Sequence, residues 1–312
     1  MVRMDCPKGC IGVDIGGTKT GVSLWAGEEK LVQKVQFPTL GTPEAVIARI
    51  NAAIDRIRET NPAVSAELSA LGISCGGPLD PTEGLVLSPP NLPGWDRIPI
   101  VQSLHETTGL PCFLENDANA CALAEWRWGA GKGYRDMAFL TFGTGLGCGL
   151  ILNGQLYRGA GDLAGEIGHI RIAEDGPEGY GKRGSWEGFC SGSGLGKRYA
   201  EATGRRETGK YICDAAAQGE ADALRVVEEC AFYLGRGIAL LIDILNPRCI
   251  VLGSIFVRRE GLFRRIMESV IAEEALEASR RQCIIRPALL GETLGDKAAL
   301  GVAINGLLSH RC

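Results

Sequence analysis

The sequence predicts an α/β protein of two lobes, and three observations carry that expectation. Two short apolar runs each enter a glycine-rich turn. Cys10-Ile11-Gly12-Val13 leads into Asp14-Ile-Gly16-Gly17-Thr18-Lys19-Thr20, and Leu140-Thr141-Phe142 leads into Gly143-Thr144-Gly145-Leu146-Gly147. Strand-like and helix-like segments alternate after both turns, which is the pattern of α/β layers. The chain has 312 residues, 45% of them hydrophobic and 22% charged, enough for two lobes that each bury a core. Either turn alone reads as an ordinary β-hairpin. Together, opening two successive halves, they are what a nucleotide cleft between duplicated lobes needs. Small residues at the tips let backbone N–H groups approach an anion, and Thr18 and Thr144 offer hydroxyls to phosphoryl oxygens. Neither turn has the Walker A spacing.

After the first hairpin, Glu44 to Glu59 places Ala45, Val46, Ile50, Ile54 and Ile57 on one helical face, an amphipathic crossover helix. Leu68 to Ser74 reads as a buried strand that runs into Cys75-Gly76-Gly77-Pro78. A Pro/Gly-rich loop then extends through Asn91 to Trp95, longer than a compact domain keeps without use. Leu104 to Thr108 resembles a helix end, Pro111 to Leu114 a short strand, and Asp117 to Arg127 an alanine-rich helix. In the second half the Leu140 hairpin and an Ile151–Gly154 turn precede an irregular glycine-rich stretch from Gly159 to Gly196. Ala221 to Leu245 is a long helix stopped by Asn246-Pro247, and Cys249 to Leu252 a strand ending at Gly253-Ser254. A helix near Leu262 to Ala278, a strand at Cys283 to Ile285, and a helix from Asp296 to Leu308 that returns to the first lobe complete the chain. The expected division is 1–117 with 295–312 as one lobe and 118–294 as the other.

The net charge of −4 and the lack of a Lys/Arg-rich run argue against a general nucleic-acid surface. The start of the chain has no apolar leader segment, and the most apolar stretch, Gly237 to Val257, is broken by Asp243, Asn246, Pro247 and Arg248. A cytoplasmic protein with no membrane span is expected. Twelve cysteines are scattered singly through apolar segments, as buried reduced thiols are. Cys6 and Cys10 are the closest pair, and no second pair at zinc spacing accompanies them.

With these segments placed, the chain resembles the ROK family of repressors and sugar kinases over nearly its whole length. The resemblance rests on Asp14-Ile-Gly-Gly-Thr-Lys19, Gly76-Gly77-Pro78, Glu115-Asn116-Asp117-Ala-Asn119, Thr141-Phe-Gly-Thr-Gly145 and Gly165-Glu166-Ile-Gly168-His169. It continues in Gly184-Ser185-Trp186-Glu187, in Asn246-Pro247 to Gly253, and in Leu294-Gly295-Asp296-Lys-Ala298. Several ordered motifs are a far more specific signal than one glycine loop. The resemblance implies a two-lobed, actin-like ATPase (ribonuclease H-like) fold with a nucleotide and sugar cleft between lobes. Repressor members carry a helix-turn-helix domain ahead of the first loop. Thirteen residues precede Asp14 here, so the kinase branch is expected.

The resemblance also implies roles. Asp14 would hold Mg²⁺, through water, while Gly16, Gly17, Thr18 and Lys19 face the terminal phosphates of ATP and Thr144 and Gly145 close on them. Position alone makes Asp117 a helix N-cap. The matching motif makes it the general base that takes the proton of the attacking sugar hydroxyl. Gly76, Gly77, Asn91, Asn116, Asp117, Glu166, His169 and Glu187 match sugar contacts. Gly253 and Ser254 flank adenosine, with Ser254 where a second glycine is usual. Many relatives bind structural zinc through the histidine of Gly-His and three cysteines. The segment Glu178-Gly-Tyr-Gly-Lys182-Arg-Gly-Ser185 has none of those cysteines, and His169 alone is no zinc site, so no structural zinc is expected. Trp186 and Phe189 are candidates to fill that space. The implied reaction is ATP- and Mg²⁺-dependent phosphorylation of a hexose, glucose at its 6-hydroxyl first. N-acetylmannosamine or another hexose or amino sugar is the alternative, and a non-catalytic sugar-binding regulator is an alternative of another class. A homodimer fits the family.

Overall fold

The computed structural model describes residues 7–309 and divides into two compact units. One runs to Arg127 and resumes at Leu290, and the other is Trp128–Leu289.

In the first unit, β1 (Gly9–Ile15), β2 (Lys19–Ala26) and β3 (Lys30–Pro38) form an antiparallel meander. Helix α1 (Pro43–Thr60) and the single turn α2 (Pro62–Ser65) lead to β4 (Leu68–Cys75), parallel to β1. Thr42 caps α1 by accepting from Ala45 N. Val46, Ile50, Ile54 and Ile57 are buried as the spacing predicts, whereas Ala45, in the first turn, is exposed. The Pro/Gly-rich stretch holds a two-residue-strand hairpin, β5 (Leu79–Asp80) with β6 (Leu85–Val86), before α3 (Ile100–Thr108). Strand β7 (Cys112–Asn116) then pairs parallel with β4 and runs directly into α4 (Asp117–Trp128).

The second unit repeats the scheme. Strands β8 (Met137–Phe142), β9 (Leu146–Leu152) and β10 (Gln155–Tyr157) form a meander. After a small hairpin, β11 (Glu178–Gly179) with β12 (Lys182–Arg183), come α5 (Trp186–Phe189), α6 (Gly192–Thr203), α7 (Gly209–Ala217) and α8 (Ala221–Leu245). Strand β13 (Cys249–Leu252) is parallel to β8, and α9 (Ile255–Glu274) and α10 (Glu277–Arg280) lead to β14 (Ile284–Pro287). The sheet orders, β3-β2-β1-β4-β7 and β10-β9-β8-β13-β14, are the same arrangement of antiparallel and parallel neighbours.

Helix α11 (Leu294–Ser309) packs on β1 and β4 of the first unit, as expected of a returning helix. The approach is close: any side chain at Gly72 of β4 would collide with the Ala299 backbone. The boundary expected at 117/118 instead falls at the far end of α4. That helix belongs with the first unit because Gly301 of α11 packs on Leu123, and the buried Glu125 accepts from Leu290 N at 3.0 Å. The helix expected from Leu262 to Ala278 starts earlier, at Ile255, and ends at Glu274.

The ten described cysteines are free thiols, and Cys6 lies outside the described residues. Among the described residues, no helix is long and apolar enough to cross a membrane.

Candidate active site

The first unit presents the carboxyl ends of three neighbouring parallel strands side by side, where open α/β sheets hold ligands. The register aligns Asp14 with Ser74 and Glu115, and Ile15 with Cys75 and Asn116. Gly16, Gly76 and Asp117 follow in the next row. At ordinary strand spacing Asp14 and Asp117 stand about 10 Å apart.

Asp14 is the penultimate residue of β1, and its carboxyl is pushed above the usual range. Burial is the main cause and the Asp296 charge the next, opposed by the Ser74 hydroxyl and the Lys34 and Lys19 ammonium groups. Lys34 of β3 donates to Asp296 Oδ2 of α11 at 2.8 Å. Neither Lys34 nor Asp296 was among the residues picked from the sequence for a role. Asp296 sits inside a quoted motif, but Lys34 carries no sequence signal, since only the sheet brings it there. The loop Gly16–Thr18 and Lys19 beyond it are at or near the surface. A Cβ on Gly17 would stand 2.7 Å from the Asn91 carbonyl oxygen, so the long Pro/Gly-rich loop lies against this turn.

The β7–α4 junction holds Asn116 and Asp117. The Ala118 N–H is shared, donating to Asn116 Oδ1 at 2.9 Å and Asp117 Oδ1 at 2.8 Å. The capping role of position 117 is thus divided with Asn116, and the Asp117 side chain remains exposed. Behind them the buried Glu115 accepts from Asn116 N and from Asn119 Nδ2, at 3.1 and 2.9 Å. A Cβ on Gly77 would lie 3.0 Å from Asn116 Nδ2, and one on Gly76 3.9 Å from Asp117 Oδ2. Gly76, Gly77, Asn116 and Asp117 therefore lie together at the ends of β4 and β7, beside the strand that enters the first glycine turn, and Asn91 lies against that turn.

In the second unit Glu187 of α5 reaches the other turn. Its Oε2 accepts from Leu146 N at 3.0 Å, and a Cβ on Gly145 would stand 2.6 Å from that oxygen. The turn is held from its other side as well. Gly192 N donates to Gly143 O at 2.7 Å, and Ser193 Oγ to Thr144 O at 2.9 Å. Glu166 and His169 flank a short 3-10 turn, Ile167–His169, whose Gly168 packs against Leu146 and Glu187. Glu166 is exposed as a residue, yet its carboxyl is pushed up by partial burial and by the Glu187 charge, with His169 opposing. Glu166, His169, Glu187, Thr144 and Gly145 thus come together.

Ser254, at the start of α9, takes φ 54° and ψ −110°, a backbone region suited to glycine. A Cβ on Gly143 would be 3.4 Å from Ser254 Oγ, so Gly253-Ser254 also borders the second turn.

The segment lacking cysteines is the β11–β12 hairpin. Lys182 Nζ lies 2.9 Å from His169 O and 3.2 Å from His169 Nδ1, and Lys197 Nζ donates to Glu178 O at 2.7 Å. Arg183 pairs with Asp175. Trp186 packs onto Gly237 of α8, and Phe189 stacks on Tyr233 with ring centroids 3.7 Å apart, so both belong to the core beside α8. Among the described residues there is no group of three or more His, Cys, Asp or Glu placed to hold a metal ion.

The chain is similar to known proteins in sequence and in fold. A glucokinase of Streptomyces coelicolor is 36% identical over 262 residues, covering 78% of this chain and 81% of the relative. The crystal structure of a ROK hexokinase from Thermus thermophilus is 31% identical, with a TM-score of 0.85 over 97% of this chain and 99% of the other. A ROK family glucokinase from Streptomyces griseus, solved in complex with glucose and AMPPNP, is also 31% identical. Its TM-score is 0.74 over 95% of this chain and 99% of that one. The shared fold is the two-lobed, actin-like ATPase fold. The model of the ROK family matches residues 10–305, nearly the whole described chain, and the protein belongs to that family.

Proposed function

We propose that the protein phosphorylates glucose at its 6-hydroxyl with ATP, using Asp117 as general base. The broader statement, that it is a sugar kinase of the hexose and amino-sugar class, stands on its relatives. The observation that carries the finer reading is the row formed by Gly16, Gly76 and Asp117 at the ends of β1, β4 and β7. It sets an exposed carboxylate beside Gly76, where no bulky neighbour stands close, and one strand further from the turn assigned to phosphate.

In this reading Asp117 accepts the hydroxyl proton as the sugar oxygen attacks the γ-phosphorus. Its position is set by the Ala118 N–H and by the Glu115 network behind it. The N–H groups of Gly16–Thr18, with the Lys19 ammonium, and the Thr144–Gly145 turn face the phosphates. Gly253 and Ser254 border adenosine. Asn91, Asn116, Glu166, His169 and Glu187 bind sugar hydroxyls. A carboxylate pair, Asp14 and Asp296, supplies the hard oxygen donors that Mg²⁺ prefers, and Asp14 is the residue to hold it. Bound there, Mg²⁺ would neutralise phosphate charge. No structural zinc is proposed at the 178–185 hairpin, because that segment brings no cysteine to join His169. A cytoplasmic setting agrees with the free thiols.

Asp117→Asn tests the assignment, since it keeps the Ala118 hydrogen bond and removes the base. Turnover should fall roughly 10²–10⁴-fold while sugar affinity changes little. Near-normal turnover in the folded variant rules the base out, while no turnover by the wild type with any sugar would favour the non-catalytic sugar-binding regulator.

A further inference from the structure

We propose that Lys182 is a positioning residue that holds His169 as the Nε2–H tautomer, so that the imidazole meets the sugar as a hydrogen-bond donor. The inference rests on the reading of His169 as a sugar contact and adds to it the direction of the proton.

The geometry is local to one hairpin. Tyr180 and Gly181, at φ 54° and 64°, form the two-residue turn between Gly179 and Lys182, which are paired across β11 and β12. That turn sends the Lys182 side chain to His169, where Nζ meets two acceptors of one residue, the carbonyl oxygen at 2.9 Å and Nδ1 at 3.2 Å. An ammonium carries three donors and no acceptor, so Nδ1 must accept and the proton of the neutral ring sits on Nε2. The Tyr180 ring lies edge-on to the imidazole, centroids 6.0 Å apart, and limits its rotation from a second direction.

This polarity complements the neighbours. Glu166 and Glu187, when ionised, only accept hydrogen bonds. A donor at His169 lets one sugar hydroxyl give its proton to a carboxylate and receive one from the ring. Two acceptors and one obligate donor read hydroxyl groups more stringently than three acceptors do.

His105 supplies an internal contrast. Its Nδ1 lies 2.8 Å from Leu110 O, and a carbonyl only accepts, so His105 carries its proton on Nδ1. The two described histidines hold opposite tautomers, and His310, the third in the sequence, lies outside the described residues.

The test is long-range ¹⁵N–¹H correlation of the imidazoles in the sugar-free protein at about pH 8, above the ordinary histidine range. His169→Gln assigns the signal. Wild type should show Nε2–H at His169 and Nδ1–H at His105. Lys182→Glu exchanges an obligate donor for an acceptor and should reverse His169 alone, with sugar KM rising about tenfold and kcat changing less than about twofold. Lys182→Arg, which also only donates, should keep the wild-type tautomer and KM, and so controls for disruption of the hairpin. A wild-type His169 protonated on Nδ1, or a Lys182→Glu ring that stays Nε2–H, overturns the proposal. If wild type phosphorylates no sugar, the functional reading falls while the ring spectra still decide the tautomer.

Discussion

The β1–β2 and β8–β9 hairpins occupy the same place in two sheets of the same order, and each joins its strands through three residues, Gly16–Thr18 and Gly143–Gly145. They differ in where their negative charge comes from. The first carries Asp14 at the penultimate position of its own strand. The second has Thr141 there and takes a carboxylate from Glu187 on α5, whose Oε2 accepts from Leu146 N. A duplicated scaffold has thus been given two jobs through one position: a carboxylate built into the strand for charge, and an imported one that ties a turn to residues proposed to touch sugar. Gly17 and Gly145 are both glycine because something stands close, the Asn91 backbone at the first and the Glu187 carboxylate at the second. Neither has a positive φ.

The sharpest way to break this comparison is to remove each charge separately. Asp14→Asn keeps the shape and deletes the built-in carboxylate, so kcat should fall roughly 10²–10³-fold while glucose affinity in equilibrium titration is nearly unchanged. Equal losses in turnover and sugar affinity would mean that Asp14 only supports the fold. Gly145→Ala acts on the imported charge. Its methyl group displaces Glu187 from Leu146 N, and kcat/KM for sugar should drop about 10- to 100-fold, with the KM for ATP also raised. If only ATP is affected, Glu187 does not link the turn to the sugar.

A smaller effect follows from the raised carboxyl of Glu166. A carboxyl whose folded pKa lies above its unfolded value binds protons more tightly in the native state. Stability therefore falls as pH rises from about the ordinary glutamate value through the folded one. Glu166→Gln should raise Tm at neutral pH, and the gain should vanish near about pH 4. A Tm difference that is the same at both pH values would show that the charge carries no cost. Smaller still, Ser254→Gly should relieve the strained backbone at the start of α9 and raise Tm by about 2 °C. A fall in Tm would mean that the Ser254 hydroxyl outweighs the strain. Purified protein should contain no stoichiometric zinc, and a zinc-selective chelator should leave Tm unchanged. One zinc per chain by elemental analysis would contradict the expectation that the cysteine-free segment leaves His169 without a structural zinc.

The glycine turns, the parallel strands and the long helices were legible because each is a local pattern: apolar runs, glycine at the tips, one buried face. Strand β3 was not. Its residues, Lys30 to Pro38, are partly or fully exposed, and the alternation of Val35 and Phe37 with Lys34 and Gln36 is too short to stand out, so Lys34 went unseen with the strand. Helix α6 starts Gly192-Ser-Gly-Leu-Gly and reads as loop, because each glycine costs a helix about 1 kcal/mol relative to alanine. Tertiary contacts offset this. Ser191 caps the helix, Leu195 and Tyr199 are buried, and a side chain at Gly194 would collide with Gly188 O. Of the candidate site residues, those named from the sequence lie within motifs, and those that reach the same places from neighbouring elements carry no motif role. Asp14, Asp117 and Glu187 lie in the first group, and Lys34, Lys182 and Ser193 in the second. The order of the 178–185 hairpin rests on such neighbours, Lys182 on His169 and Lys197 on Glu178.

The central claim is ATP-dependent phosphorylation of a hexose, with glucose preferred. Steady-state ADP release with glucose, N-acetylmannosamine and fructose, at identical ATP and Mg²⁺, tests it most directly. A site that reads hydroxyls through Glu166, His169 and Glu187 should show its preference in kcat/KM. Glucose is expected to give the highest value. A higher kcat/KM for N-acetylmannosamine would contradict the glucose assignment and leave the sugar-kinase reading standing, and absence of ADP release with every sugar would contradict both.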